Sequence, residues 1–229
     1  MAFPLVARRI GMIAVAGLLW LRPVVCAQAQ SEQEKLVLGA EVTFNHFLDD
    51  PQMAWFQENI GKAKAVLIAP EIVKAGFILG GSGGRAVLFA RDGKTGVWHG
   101  PAFYTLATGS IGFQAGLEVS ESVTLVMTDK GLESLLRNAF KMGGDASIAA
   151  GPVGAGTRTD IQADLVSYSR GKGIYGGLNL DGTIVRTSDV WNRAYYRDEL
   201  SAAEILIRPD KANVRAARLR AEIARAGKR

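Results

Sequence analysis

The sequence predicts an α+β fold: a curved, mainly antiparallel, glycine-rich β-sheet or partial barrel with flanking helices. Glycine is the first reason. The chain has 27, clustered at Gly80 to Gly84, Gly112 to Gly116, Gly151 to Gly156 and Gly171 to Gly177. At that density they permit bulges, bends and close backbone approach between short β-runs. Order is the second reason: helical spacing comes first, alternating patterns fill the middle, and helical spacing returns near the end.

Ser31 with Glu34 forms a capping box, and Leu36, Ala40, Phe44 and Phe47 follow at helical spacing. Asp50-Pro51 restarts a helix, with Asp50 as cap and Pro51 at its first position. Met53, Phe56, Ile60 and Ala63 form its apolar stripe, Trp55 stands at the stripe's edge, and Glu58 pairs with Lys62 one turn on. Lys62 and Lys64 flank the apolar run Ala65 to Ala69, which Pro70 closes. Lys74 to Arg91 reads as two β-runs joined by a glycine bend. Asp92 to Gly96 is a turn, and Val97 to His99, Phe103 to Ala107, Ile111 to Leu117 and Ser122 to Met127 read as strands. Thr128-Asp129 caps a helix carrying Leu132, Leu135, Leu136 and Phe140, stopped by Gly143-Gly144. Strands resume at Ala146 to Ala150, Thr159 to Ser169, Ile174 to Leu180 and Thr183 to Arg186, with Asp181-Gly182 as a hairpin turn. Ser188 to Arg197 and Ser201 to Ile207 read as helices. Among these elements, no linker rich in Pro, Gly and Ser marks a second folded domain.

Residues 1–29 read as a signal peptide: a basic start at Arg8-Arg9, an apolar run from Ile10 to Leu21, and the small-residue site Ala27-Gln28-Ala29. The apolar run is shorter than the roughly 20 residues a spanning helix needs. Cleavage before Gln30 yields an exported, soluble, periplasmic product without cysteine, so no disulfide framework holds the fold. Cys26 raises a lipoprotein alternative, although Pro23-Val24-Val25 lacks the small residue expected before a lipidated cysteine. The formal charge is +5. Subtracting Arg8, Arg9 and Arg22 leaves +2. Residues 211–229 hold seven bases against Glu222, so the body is acidic and the basic balance belongs to the tail. A solvated, frayed helix is the plain reading of 208–229, and an attraction to anionic lipid is the functional one.

Catalytic motifs fail on context. Gly81 to Ala86 spells G-x-G-x-x-A, but a strand follows where a dinucleotide site needs a helix. Ser169-Arg170-Gly171-Lys172 and Lys94-Thr95-Gly96 spell penicillin-recognising motifs in reversed order, and Ser188-Asp189-Val190 lacks the asparagine. No nucleophile elbow G-x-S-x-G is present, though a spatial triad stays open. His46 and His99 are too few for a zinc site without cysteine. Trp98, Trp191 and Tyr195-Tyr196 line either a ligand surface or a packed rim. A membrane β-barrel is disfavoured because the strands lack aromatic girdles.

Several segments, in order, resemble one family. They are Ile72-Val73-Lys74-Ala75-Gly76-Phe77 with the glycines after it, Ala149 to Gly154, Ser167 to Gly177, Leu180-Asp181-Gly182-Thr183, and Ala194-Tyr195-Tyr196 with Ser201 to Leu206. Together they resemble the SYLF domain of bacterial exported proteins and of eukaryotic actin-patch and endosomal regulators. The resemblance divides the chain into a signal peptide (1–29), an N-terminal helical segment (30–57), a SYLF-like domain (58–207) and a basic C-terminal helix or tail (208–229). It implies phospholipid binding, phosphoinositides for the eukaryotic members, without enzymatic activity or a cofactor. An amphipathic helix near the domain start is implicated in touching membrane, and Met53 to Lys64 matches it in place and character.

The residues themselves agree. Met53, Trp55, Phe56 and Ile60 with Lys62 and Lys64 make a short interfacial face, or else the apolar ones pack on the sheet. Lys74, Arg85, Arg170 and Lys172 are further headgroup candidates, because turn amides beside a base hold phosphate. The expected function is a non-enzymatic, peripheral protein recognising anionic phospholipid headgroups at a membrane of the bacterial envelope. The alternatives are an envelope scaffold engaging a protein partner, and an unrecognised serine hydrolase. Nucleic acid is not an expected partner.

Overall fold

A computed structural model of the chain describes residues 30–76, 79–111, 116–154, 161–171, 174–176, 180–208 and 213–228. Helix α1 (Glu32–Leu48) starts at the expected capping box, with Ser31 and Glu34 bonding each other's backbone N–H. Asp50 caps a 3-10 turn at Pro51–Met53, which leads into α2 (Ala54–Asn59) and a second 3-10 turn, Ile60–Lys62. Four long strands follow: β1 (Ala65–Gly76), β2 (Leu79–Arg91), β3 (Trp98–Ile111) and β4 (Gly116–Val126). Next come α3 (Asp129–Leu135), β5 (Ala139–Lys141), β6 (Ile148–Ala150), β7 (Leu165–Gly171), β8 (Ile174–Gly176) and β9 (Ile184–Thr187). The last described elements are α4 (Asp189–Tyr196), α5 (Ala202–Ile207) and α6 (Ala217–Ala226).

The strands form one sheet in the order β5-β9-β3-β2-β1-β4-β7-β6, with β8 attached to β7. Every described pairing between named strands is antiparallel except β6 with β7. The sheet curls into a half-barrel flanked by helices, so the α+β, curved, mainly antiparallel expectation holds.

Alternation along the strands gives the sheet two apolar faces. One face carries Val66, Ile68, Val87, Phe89, Phe103, Val123 and Leu125 against α1, α2, α4 and α6. The other carries Leu67, Ala86, Leu88, Tyr104 and Leu106 against β5, α5 and the end of α3. Phe44, Phe56 and Phe103 are fully buried, and each such ring contributes about 2–3 kcal/mol by area.

Several expectations are corrected. The glycines from Gly80 to Gly84 are strand residues within β2, paired with β1 and β3, rather than a bend. Pro70 lies inside β1, at a register shift where its missing N–H breaks no ladder. There the strand swings close to its neighbour: a Cβ on Gly84 would run into Glu71 O, so only glycine fits. Trp98-His99 and Phe103 to Ala107 belong to one strand, β3, and Val97 lies just before it. Phe140 lies in β5 because α3 ends at Leu135. Asp181-Gly182 is a tight turn, with Gly182 at φ +80°, but no hairpin. The strand before it pairs with β7, and β9 after it pairs with β3 and β5.

Over 213–228 the basic tail is a packed helix rather than a frayed one, with one face buried while Arg218 and Arg225 remain largely exposed. Leu219, Ile223 and Ala226 of α6 are buried in the first face's core. Its arginines meet acids of α1: Arg215 Nε lies 2.7 Å from Glu34 Oε1, and Arg218 Nε 2.7 Å from Glu41 Oε1.

Candidate functional site

The beginning of β2, the end of β1 and the start of β4 extend past the helices to form an open sheet end. Here Lys74 and Ala75 are exposed on β1, and Leu117, Glu118 and Val119 on β4. Leu117 is 70% exposed, and Val119 stands opposite half-buried Val73 in the register. Large apolar side chains left in water beside bases are the raw material of a docking surface.

Beside it lies an open groove of about 630 Å³ between α1 and the sheet. Its apolar lining includes Leu36, Val42, Pro70 and Val73, its bases are Lys35 and Arg85, and its acids are Glu32, Glu71 and Glu121. Arg85 Cζ sits 4.1 Å from the centroid of the Trp191 ring. At that distance the cation is attracted to the negative face of the indole, which helps to fix the guanidinium at the groove. Lys35 is tied to Glu32 at 2.8 Å.

The other candidate residues fall elsewhere. Met53, Phe56 and Ile60 are fully buried. Phe56 packs edge-on against Phe44 and Tyr168, so these side chains form core, and the interfacial face expected of them is not what this structure presents. The stripe points at the sheet because the sheet's own apolar face needs cover. Trp55 is half-buried against Tyr168, ring centroids 6.5 Å apart. Lys62 donates to Asn59 Oδ1 at 2.9 Å rather than pairing with Glu58, and Lys64 pairs with Asp129 at 3.0 Å. Lys172 lies outside the described residues.

Arg170 belongs to a partly buried cluster. Its Nε is 2.6 Å from Glu121 Oε1, and its Nη2 is 2.6 Å from His46 Nδ1. His46 Nδ1 is 3.0 Å from Glu121 Oε1, while Thr43 Oγ1 donates to Glu121 Oε2 at 2.7 Å. Hydroxyl and imidazole thus converge on one carboxylate, whereas an activated nucleophile needs the hydroxyl on the imidazole. The cluster clamps α1 to β4 and β7. Sequence reasoning took Arg170 for a ligand-facing base because nothing local announces Glu121, 49 positions earlier but directly opposite in the register.

A second buried carboxylate, Asp164, accepts from Thr128 Oγ1 at 2.6 Å and from Ser147 N and Oγ at 2.9 and 2.8 Å. Those hydrogen bonds, Thr128's foremost, hold its carboxyl well below the usual range. It ties the start of α3 to the segments around β6 and β7. Among the described residues, no group of three or more His, Cys, Asp or Glu is placed to hold a metal ion. None of their helices is long and apolar enough to cross a membrane.

Comparison with known proteins adds the following. The family model described as "Ysc84: Las17-binding protein actin regulator" matches residues 107–226, from β3 through α6. The chain is similar to the human "SH3 domain-containing YSC84-like protein 1", 30% identical over 154 residues, 64% of this chain and 44% of that protein. It is also similar to "LAS seventeen-binding protein 3" of Saccharomyces cerevisiae, 30% identical over 161 residues, 66% of this chain and 35% of that protein. The chain therefore spans less than half the length of these relatives. Their descriptions speak of binding and regulation and name no reaction.

Proposed function

This chain belongs to the Ysc84 family, and from that footing we propose that it is a non-catalytic peripheral module whose open sheet end docks on anionic phospholipid headgroups. The observation that carries the reading is Arg85, stacked on Trp191 at the mouth of an apolar-lined groove that borders exposed Leu117 and Val119. Lys74 adds a base on the opposite face of the same sheet end, so bases flank the apolar edge.

The magnitudes suit reversible attachment. Each base near an anionic surface contributes about 1 kcal/mol. Burying an exposed leucine side chain contributes about 2 kcal/mol more. Two bases with Leu117 and Val119 give binding that salt weakens, as expected for a peripheral contact. Export through residues 1–29 belongs to the same proposal, and it puts the surface at the bacterial envelope. Mass spectrometry of the mature amino terminus separates cleavage before Gln30 from lipidation at Cys26.

Co-sedimentation with phosphatidylcholine vesicles, with and without phosphatidylglycerol, tests the docking surface. Wild-type protein is expected on the anionic vesicles only, and less of it as salt rises. Lys74→Glu with Arg85→Glu reduces binding at least about tenfold, since two charges are reversed. Unchanged binding in a folded double variant removes this surface from the account. The yeast relative's name favours a second reading, a scaffold that engages a protein partner. A lipid-free pull-down from envelope extract that Arg85→Glu abolishes, together with wild-type protein that ignores every vesicle, selects it.

A further inference from the structure

We infer that the groove between α6 and the β2–β3 turn is a separate site that binds the phosphate monoester of a soluble molecule. The groove holds about 560 Å³, and its charged lining is Arg91, Arg220 and Lys228, with no carboxylate among the lining residues. It lies at the Arg91 end of β2, six residues along the strand from Arg85. The inference therefore goes beyond the membrane reading and does not depend on it.

The sequence builds the trough simply. On α6, Ala217, Ala221 and Ala224 fall at helical spacing on the wall, and their small side chains leave room that Arg220 and Lys228 border. Arg91 closes β2, and its Nη1 donates to Gly61 O at 2.6 Å, which fixes the guanidinium. Gly61 also packs on the end of α6, where an added Cβ would stand 2.6 Å from Gly227 O. The same turn of backbone thus positions Arg91 and the end of α6. Asp92, the acid adjacent in sequence, is occupied: its Oδ1 accepts from Lys94 N, Thr95 N and Thr95 Oγ1.

Arg220 differs from its neighbours. Arg215 pairs with Glu34, Arg218 with Glu41 and Glu222, and Arg225 with Glu222. Arg220 forms no ion pair among the described residues, and its Nη1 is buried without a hydrogen-bond partner. A buried guanidinium N–H with no acceptor carries an uncompensated desolvation penalty. Arg220 also lines the groove, where an oxyanion gives its accessible N–H groups the partner that no carboxylate among the described residues supplies, and a doubly charged phosphate with three acceptor oxygens matches three bases better than a single carboxylate does. Val97 is the only large hydrophobic in the lining that is exposed, so the groove offers little for acyl chains to enter. That favours a soluble ester over a membrane.

Calorimetric titration of the full chain with glycerol phosphate tests the site. Saturable binding is expected, with affinity falling about tenfold or more in Arg220→Ala and again in Lys228→Gln. Arg218→Ala, a paired base on the neighbouring stripe, is expected to keep wild-type affinity. Arg220→Lys retains the charge and part of the affinity, and circular dichroism checks that each variant is folded. No binding by wild type, or equal binding by Arg220→Ala, overturns the proposal. Sedimentation with vesicles containing phosphatidic acid is expected to be the same for wild type and Arg220→Ala; a parallel loss overturns the assignment to a soluble molecule. Lys74→Glu with Arg85→Glu keeps its glycerol phosphate affinity, so failure at one surface is read separately from failure at the other.

Discussion

Within β1, Ala65 to Ala69 are all buried, whereas Val73, Lys74 and Ala75 are half-buried or exposed. The first stretch places Val66 between Phe89 and Leu125, and the second places Lys74 between Ser82 and Glu118. Backbone pairing is equally regular in both. The difference lies in what covers the strand and what stands beside it. Helices lie over the first half, and the bulge at Pro70 separates it from a half whose β2 partners are glycines apart from Ser82 and Arg85. One strand therefore serves as core at one end and as a presented surface at the other.

The sharpest way to break this comparison is to truncate an apolar side chain on each side of it. Phe56→Ala, under the covered half, is expected to lower stability by about 3–5 kcal/mol, read from the urea midpoint. Leu117→Ala, at the open end, is expected within about 0.5 kcal/mol of wild type while weakening vesicle attachment. A large loss from Leu117→Ala would mean that the open end is packed after all.

Asp164 and Glu41 extend the contrast to opposite directions of pH dependence. Asp164 has its carboxyl held low, so its stabilisation is present above the ordinary value of 3.8 and is lost as pH falls. Asp164→Ala is expected to remove about 2–3 kcal/mol at neutral pH and to flatten the acid limb of the stability profile. Glu41 is pushed the other way, first by burial and then by Glu222, against the pull of Arg218. Its contribution is complete below the ordinary value of 4.5 and fades as pH rises through the elevated one. Glu41→Gln is expected to abolish that fade at a change of under about 1 kcal/mol, because Arg218 is largely exposed. Thermal melts across the pH range check both signs.

Glycines refine the picture within the sheet itself. Gly84→Ala is expected to destabilise by about 1–3 kcal/mol, since the new methyl meets Glu71 O. Gly109→Ala has nothing within 4 Å of its Cβ and is expected to be neutral or slightly stabilising by calorimetry.

Local signals were easy to read in advance. The capping box at Ser31, the Asp50-Pro51 start and the Asp92 turn all stand where their residues put them. Helical periodicity at Met53, Phe56 and Ile60 was visible too, but periodicity states that a face exists and not what it meets. Sheet or membrane satisfies the same spacing, and only tertiary packing chose the sheet. Glycine misled for a related reason: it allows a bend and also allows close strand approach, and in β2 the second applies. The pairing of Arg215 and Arg218 depends on α1, nearly the whole sequence away, and no local pattern announces such a partner. Arg85 was singled out, but its Trp191 support was not, because a stacked pair leaves no spacing signature. Arg91, Arg220 and Lys228 escaped notice for the same reason, since three distant segments supply them.

Closing one helical layer with α1 and α6 has a kinetic consequence. Residues 32–48 must wait for residues 217–226 before Phe44, Leu219 and Ile223 share a dry interior. Such a long-separated contact pays its loop-closure entropy late. A ribosome-bound chain would hold this layer ajar, sticky on one side, and open to chaperone capture until α6 seats.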